Sequence, residues 1–278
     1  MTKITAKEVN DLRKRTGAGM MDCKNALVES NGDIEKAIDY LRKKGQKLAS
    51  KRADRNASEG IVLAKTNAEN NFATLIMLNC ETDFVAKNQD FIDFINTVLD
   101  KSIETKPNSL DELKAMNING RTVADNLTDM VGKIGEKMEI PHYEFIESPI
   151  VFSYNHHGNR LATIMGMNNS SVASIDQMGR ELSMQIAAMN PIAIDKDDID
   201  QKVIEREMEI GKEQALQEGK PEELAEKIAA GKLNKFYKEN TLLNQDFIRD
   251  TKKTVRQYLS ENDKDLAITA FKRLMLGE

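Results

Sequence analysis

FATLIMLNCETDFVAK, residues Phe72 to Lys87, joins an apolar run typical of a β-strand to the beginning of a helical pattern. After this stretch, apolar residues recur at helical spacing, at Phe91, Phe94, Ile95, Val98 and Leu99. Asp83 and Phe84 are therefore expected on a strand-to-helix connection at the protein surface. The change from strand to helix predicts a fold that contains both sheets and helices.

Phe84 has two possible roles at such a position. Burying a phenylalanine side chain is worth about 1.5–3 kcal/mol, so a ring that stays in water is unfavourable. The ring either folds back to anchor its own loop, or it is held out for a partner protein to bury. Position alone favours the first role, because aromatic residues in loops commonly anchor the loop that carries them.

The composition does not suggest a dedicated nucleic-acid binder. A length of 278 residues predicts about two domains. The 45 acidic and 40 basic residues give a formal charge of -5, tryptophan is absent, and aromatic residues make up 5% of the chain. This balance argues against a globally basic surface and against aromatic platforms that stack on single strands.

The cysteines and the apolar runs indicate a cellular location. Cys23 and Cys80 lie far apart among apolar neighbours, which predicts two buried thiols in a reducing compartment. The N-terminus lacks the long apolar segment of a secretory signal, and the run Leu75 to Leu78 is too short to span a bilayer. We therefore predict a cytoplasmic protein without membrane association.

Residues 1–55 are predicted to form a compact three-helix domain and a basic linker. The predicted boundaries are, in order, a capping box of Thr5 and Glu8 with a helix from Ala6, a break at Thr16-Gly17-Ala18-Gly19, a stop at Asn31-Gly32, and a cap at Asp33 for a helix to Gly45. The basic residues that follow are Arg42, Lys43, Lys44, Lys47, Lys51, Arg52 and Arg55. A solvated linker is the commoner meaning of such a run, and contact with RNA is the alternative.

Residues 56–140 and 141–278 are predicted to form two related α/β core subdomains. The predicted elements are a hairpin of Ile61 to Lys65 and Phe72 to Cys80, a helix stopped by Gly135, strands at Tyr143 to Ile146, Ile150 to Tyr154 and Leu161 to Met167, a helix ended by Pro191, and a strand at 267–275. The segments 72–79 and 161–168 share Ala, Thr and Asn at matching places, which gives weak support for a duplication. The fold class is therefore predicted to be α+β with antiparallel sheets.

Two strongly charged helical stretches lie within residues 197–237, separated by Gly219-Lys220-Pro221. Their narrow apolar stripes and tight turn predict an antiparallel helical hairpin that projects from the second subdomain. The pattern leaves open whether this hairpin pairs two copies of the chain, docks on a partner or contacts a ribosome.

The sequence contains no pattern that predicts catalysis. A P-loop is absent, so direct nucleotide binding is not expected. The three histidines, His142, His156 and His157, lack partners at metal-ligand spacing, and no nucleophile triad is apparent. We predict an interaction protein that uses no cofactor or metal and is not an enzyme.

Several motifs along the chain closely resemble the elongation factor Ts family, whose members are guanine-nucleotide exchange factors for elongation factor Tu. The matching segments are Leu12 to Leu27 (LRKRTGAGMMDCKNAL), Asn79 to Lys87 (NCETDFVAK), Lys133 to Glu136 (KIGE), Ser153 to Gly158 (SYNHHG), Gln185 to Pro191 (QIAAMNP), Gly219 to Pro221 (GKP) and Leu242 to Gln245 (LLNQ). They occur in family order over nearly the whole chain.

The resemblance implies a fold and a set of contact residues. The implied fold has a ubiquitin-associated-like (UBA-like) three-helix N-terminal domain, a core of two related subdomains and a coiled-coil hairpin. The residues implied to bind elongation factor Tu and displace its magnesium are Thr82, Asp83, Phe84 and Val85, with Phe84 wedging near the magnesium and phosphate site. Further implied contacts are made by Leu12, Met20, Met21 and Lys24 to the nucleotide-binding domain, by Ile134 and Gly135 in support of Phe84, and by His157 elsewhere on the partner.

The chain departs from the family pattern in two places. It has a His156-His157 pair where many members have one histidine, and His157 is preferred because it adjoins Gly158. It also ends soon after its last predicted strand, so the C-terminal module of some relatives is expected to be absent. The competing function is an RNA- or ribosome-associated binding protein that uses the N-terminal helices and the basic run.

Overall fold

The computed structural model describes residues 4–278 and shows helices mixed with small antiparallel sheets, an α+β fold. The helices are α1 (Ala6–Thr16), α2 (Met20–Glu29), α3 (Ile34–Arg52), α4 (Asp83–Ala86), α5 (Gln89–Thr105), α6 (Leu110–Ala115), α7 (Val123–Ile134), α8 (Ile175–Met189), α9 (Gln201–Gln217), α10 (Glu222–Asn240) and α11 (Val255–Asn262). The strands are β1 (Glu59–Thr66), β2 (Phe72–Cys80), β3 (Asn117–Ile118), β4 (Arg121–Thr122), β5 (Met138–Glu147), β6 (Ile150–Asn155), β7 (Leu161–Met167), β8 (Asp246–Phe247), β9 (Asp250–Thr254) and β10 (Ile268–Met275).

Two three-stranded sheets have the strand orders β1-β2-β5 and β10-β7-β6. The predicted hairpin of β1 and β2 and the final strand β10 are confirmed. The segments that matched in the sequence are β2 and β7, and each is the central strand of its sheet. Strand β5 hydrogen-bonds to β2, whereas the sequence placed its residues with the later strands β6 and β7.

The chain packs as two compact units. The first comprises residues up to Leu63, Ile76–Glu144 and the residues from Leu274 onward, and the second comprises Ala64–Leu75 and Phe145–Arg273. Some strands therefore begin in one unit and end in the other, a division that differs from the ranges 56–140 and 141–278 given by sequence order.

The first three helices pack around a small apolar core made by Val9, Leu12, Cys23, Ala26, Leu27 and Ala37. The predicted capping box is present, because the Thr5 hydroxyl accepts from the Glu8 amide and the Glu8 carboxylate accepts from the Thr5 amide. Gly17 ends α1 with φ 66°, and Asp33 caps α3 through the Lys36 amide. Local capping chemistry therefore fixes these helix boundaries.

Helix α3 continues to Arg52, so the predicted stop at Gly45 is wrong and most of the basic run is helical. Lys, Gln, Leu and Ala fill the added turns, and these residues have high helix propensity. Gly45 does not end the helix because it serves a packing contact with α7. A Cβ built on Gly132 of α7 would lie 2.9 Å from the Gly45 Cα, so the two backbones meet directly.

The second unit has a core between α8 and the sheet of β6 and β7, closed by α11 and the short strands β8 and β9. Helices α9 and α10 pack along each other as predicted, with Gly211, Ala215, Ala225 and Ala229 in their contact. Lys212 of α9 forms ion pairs with Glu222 and Glu226 of α10. Pro221 immediately precedes α10, as the sequence indicated.

Both cysteines are buried and free, as predicted. In the part of the chain that the structure covers, none of the helices combines the length and the apolar character needed to cross a bilayer.

Candidate partner-binding site

Phe84 lies on the one-turn helix α4 with 82% of its surface exposed. The next two residues, Val85 and Ala86, are buried. Successive residues on a helix point about 100° apart, so this turn buries one side and presents the phenyl ring on the other. The ring therefore does not anchor its own loop, which was the alternative that the sequence favoured.

Asp83 precedes the ring and remains half exposed beside Lys87. A hydrogen bond from the Lys87 ammonium, 2.6 Å from Oδ2, lowers the pKa of Asp83. The exposed end of the turn therefore presents a carboxylate and an aromatic ring side by side at neutral pH.

The base of the turn is held by the residues that precede it. The Thr82 hydroxyl caps α4 through the Val85 amide, and Thr82 also donates from its amide and hydroxyl to the Glu136 carboxylate. The Cys80 thiol donates to the Thr82 carbonyl at 3.1 Å. Burial, with a smaller effect of Glu136, raises the pKa of Cys80 to about 12, so it remains a neutral thiol.

Two residues grouped with Phe84 have a different position from the one expected. Val85 is buried beneath the turn, so it cannot be part of the exposed surface, because burial of its side chain is what orients Phe84 outward. Thr82 is half buried, and its hydroxyl is occupied by Glu136. Both residues support the exposed pair Asp83 and Phe84 from within.

The N-terminal helices present a second exposed apolar surface. Met20 and Met21, at the start of α2, are 60% and 63% exposed, and Lys24 is exposed one turn later. Leu12 is completely buried, so the prediction that it faces a partner is wrong. It lies on the inward face of α1 and packs in the core of the three helices.

Ile134 and Gly135 lie in the same unit as Phe84 and the methionines. Ile134 is half buried at the end of α7, and Gly135 ends that helix with φ 87°, a conformation that glycine adopts without strain. Both residues line a cleft of about 460 Å³ together with Thr16 and Ala18 of the loop before α2. The cleft brings the end of α7 next to the loop that leads to Met20.

Lys133 connects this region to the helix that follows Phe84. Its ammonium forms an ion pair with Asp90 in the first turn of α5. Its side chain also lies against Gly17, where a built Cβ would be 2.7 Å from the Lys133 Cε. One side chain therefore contacts both the loop before the methionines and the start of α5.

His157 belongs to the second unit, on the exposed turn between β6 and β7. Its neighbour His156 has an internal partner, because its Nδ1 lies 2.8 Å from the Tyr154 hydroxyl. This difference agrees with the choice of His157 as the contact residue, which remains a prediction.

All three arginines in the basic run have carboxylate partners. Arg52 and Arg55 both bind Glu81, while Arg42 pairs with Asp39. Lys44 pairs with Asp22. These contacts neutralise part of the run, and those with Asp22 and Glu81 join it to other elements of the first unit, so it is a weak candidate for RNA.

Glu81 is the most heavily bonded carboxylate near the turn and was not identified as a functional residue from the sequence. It accepts hydrogen bonds from the Arg52 and Arg55 guanidiniums and from the Lys137 amide at 2.6 Å. Its partial burial opposes ionisation, but these donors outweigh that effect and lower the pKa of Glu81 to about 2. Its partners lie 26 to 56 residues away, so no local spacing could have signalled them.

We expect Glu81 to stabilise the protein at neutral pH and to lose this contribution in acid. A carboxylate with a depressed pKa contributes stability above its unfolded pKa near 4.5, and loses it as pH falls towards 2. We expect the ionised Glu81 to contribute about 2 kcal/mol to the free energy of unfolding at pH 7. This is less than the full pKa shift would give, because solvent screens the half-exposed Arg55. Urea unfolding of wild type and Glu81→Gln should differ by this amount at pH 7, and the difference should shrink below about pH 4.5 and vanish only below about pH 2. Exposed Glu104→Gln is the control. A difference that does not change with pH would contradict the assignment.

Among residues 4–278, no group of three or more His, Cys, Asp or Glu side chains is placed to hold a metal ion. The arrangement of exposed Phe84, Asp83 and the two methionines is instead suited to contact with another protein, since soft methionine and aromatic side chains are common in such surfaces.

Comparison with known proteins gives concordant matches. A family model described as "Elongation factor TS" matches residues 81–278. Elongation factor Ts of Porphyromonas gingivalis is 49% identical over 275 residues, which covers 99% of this chain and 98% of that protein. Elongation factor Ts of Amoebophilus asiaticus is 47% identical over 274 residues and 99% of both chains, and that of Christiangramia forsetii is 49% identical over 277 residues and 100% of both.

Proposed function

The chain belongs to the elongation factor Ts family, and on this premise we propose that it binds elongation factor Tu carrying GDP and promotes release of that GDP. It acts by binding, as an exchange factor, and makes or breaks no covalent bond. Release of GDP and magnesium then allows GTP to load.

The observation that carries this proposal is the exposed ring of Phe84 on a turn anchored from beneath. A ring with 82% of its surface in water gains about 1.5–3 kcal/mol when a partner buries it. Asp83 beside it brings a carboxylate, which is suited to compete with phosphate oxygens for their cationic and hydrogen-bond-donating partners. The pair would enter the partner near its magnesium and phosphate site.

Linkage determines how such a contact releases GDP. If this protein binds nucleotide-free elongation factor Tu more tightly than the GDP form, GDP must bind the complex more weakly by the same factor. Each tenfold weakening requires about 1.4 kcal/mol of differential contact. Phe84 supplies only part of a large effect, and we assign the remainder to the contacts of Met20, Met21 and Lys24 and to those of Ile134 and His157.

The family fold supplies two further assignments. We propose that α1 to α3 form the UBA-like domain, supported by three short helices around a compact apolar core. We propose that α9 and α10 form the coiled-coil hairpin, supported by the glycine and alanine residues along their contact.

Release of a fluorescent GDP analogue from the cognate elongation factor Tu tests the proposed function. We expect the release rate to rise with the concentration of this protein and then to saturate, because release from the complex becomes limiting. Excess magnesium should reduce the effect, since the factor and the ion compete. Release at the spontaneous rate across all concentrations would contradict the proposal.

A further inference from the structure

Two neighbouring carboxylates hold the base of the Phe84 turn in a reciprocal arrangement. Glu136 accepts from the amide of Thr82 at 3.0 Å and from its hydroxyl at 2.7 Å. Glu81 in turn accepts from the amide of Lys137 at 2.6 Å. Glu136 therefore binds the residue after Glu81, and Glu81 binds the residue after Glu136. These bonds join the segment that follows β2 to the segment between α7 and β5.

The turn depends on Glu136 more than on its own cap. The capping bond from the Val85 amide to the Thr82 hydroxyl is long, at 3.4 Å, whereas the two bonds to Glu136 have ordinary lengths of 3.0 and 2.7 Å and involve a charged acceptor. A four-residue helix has few internal hydrogen bonds to fix its direction. The direction in which Phe84 points is therefore set by the buried Val85 and by Glu136.

From this geometry we infer that Glu136 is a positioning residue for GDP release, one that acts through the turn that carries Phe84. This inference rests on the proposed function. Glu136 contacts Thr82, which begins the turn, and it lies directly after Gly135 at the end of α7. When the Glu136 carboxylate is removed, the amide and the hydroxyl of Thr82 lose their common acceptor. The ring is then no longer held in the orientation that enters the nucleotide site.

The test measures fluorescent GDP release from the cognate elongation factor Tu at increasing concentrations of each full-length variant. Glu136→Ala should lower the maximal release rate about tenfold, because two hydrogen bonds to a charged group are lost. The concentration that gives half-maximal release should change by no more than about twofold, since the other contacts remain. Thr82→Val removes one of the two bonds to Glu136 together with the long capping bond from the Val85 amide, and its rate should lie between those of Glu136→Ala and wild type. Thr82→Ser keeps the hydroxyl and should restore the rate.

The double variant Glu136→Ala, Phe84→Ala separates positioning from a general structural role. If Glu136 acts through the ring, its removal should have no further effect once the ring is gone, within about twofold. The control is Glu104→Ala on α5, an exposed carboxylate paired with Lys101, which should leave the maximal rate unchanged. Circular dichroism and urea unfolding of every variant should show a folded chain.

The outcomes distinguish the two proposals. If Glu136→Ala lowers the maximal release rate by the same factor in the wild-type and Phe84→Ala backgrounds, the positioning role is overturned. A wild-type rate for Glu136→Ala, when Phe84→Ala is slow, would also overturn it. A wild-type rate for Phe84→Ala itself would instead overturn the proposed role of the ring, and the inference with it. If Glu136→Ala does not fold, the comparison of Thr82→Val with Thr82→Ser in the same two backgrounds decides the question.

Discussion

Phe84→Ala should slow GDP release from elongation factor Tu about ten- to a hundredfold. The free protein exposes 82% of this ring, so almost all of its burial free energy is available for the complex. Losing about 1.5–3 kcal/mol of that burial corresponds to the stated range of rates if the ring is buried only as GDP leaves. A stopped-flow measurement with fluorescent GDP at saturating factor gives the value directly.

Two controls make this prediction specific. The free energy of unfolding of Phe84→Ala should stay within about 0.5 kcal/mol of wild type, because an exposed side chain contributes little to the fold. Ile192→Ala removes another apolar side chain, 55% exposed in the second unit, and should release GDP at the wild-type rate. Wild-type release by Phe84→Ala would show that the ring is not the group that displaces the nucleotide.

Local chemistry made the helix boundaries of the first unit predictable from sequence. Thr5 with Glu8 defined the start of α1, and Asp33 the start of α3, because a cap involves residues three positions apart. Gly135 ended α7 for a similar reason, since a left-handed residue is needed there. These signals lie within a few residues of the structure that they specify.

The hairpin of β3 and β4 also has a local sequence signal. Strands β3 and β4 form a two-residue hairpin around Asn119 and Gly120, both of which have positive φ. Asn-Gly is the strongest short sequence indication of such a turn. The turn is therefore predictable from sequence, whereas strands of two residues each are too short to show an alternating pattern.

Tertiary packing determined what could not be predicted. Leu12 and Val85 belong to segments that resemble partner-binding motifs, yet both are buried. Whether a residue in such a segment faces inward depends on how α1 to α3 pack and on what lies beneath α4. The partnership of Thr82 with Glu136 likewise spans 54 residues, so the motifs that contain them gave no indication of their contact.

Gly45 shows how a correct local rule is overridden. Glycine commonly follows the last residue of a helix, which suggested that α3 stops there. The helix continues because Gly45 meets Gly132 of α7, 87 positions later, and only two glycines allow the backbones to approach so closely. The packing partner supplies the reason for a glycine inside a helix, and sequence alone does not identify it.

Gly132→Val should therefore destabilise the first unit by about 1–3 kcal/mol, the usual range for overpacking a tight contact. Even the first carbon added at Gly132 would lie 2.9 Å from the Gly45 Cα, and a backbone atom cannot rotate away as a flexible side chain can. Helices α3 and α7 must separate, which weakens the attachment of the N-terminal helices, including α2 with Met20 and Met21. Hydrogen exchange of the α3 and α7 amides measures the loss within this unit.

The same contact makes a graded prediction. A Cβ at Gly45 would lie 3.4 Å from the Gly132 Cα, so Gly45→Ala should be tolerated better than Gly132→Ala, although both add one methyl group to a helix. A Cβ built at Gly231 of α10 meets nothing within 4 Å, so Gly231→Val should change the free energy of unfolding by less than about 0.5 kcal/mol and serves as the matched control.

If Gly132→Val left the hydrogen-exchange protection of α3 unchanged, the backbones of α3 and α7 would not be in contact. The attachment of the C-terminal end of α3 would then rest on the ion pair of Arg52 with Glu81, and Glu81→Gln would become the variant that releases it.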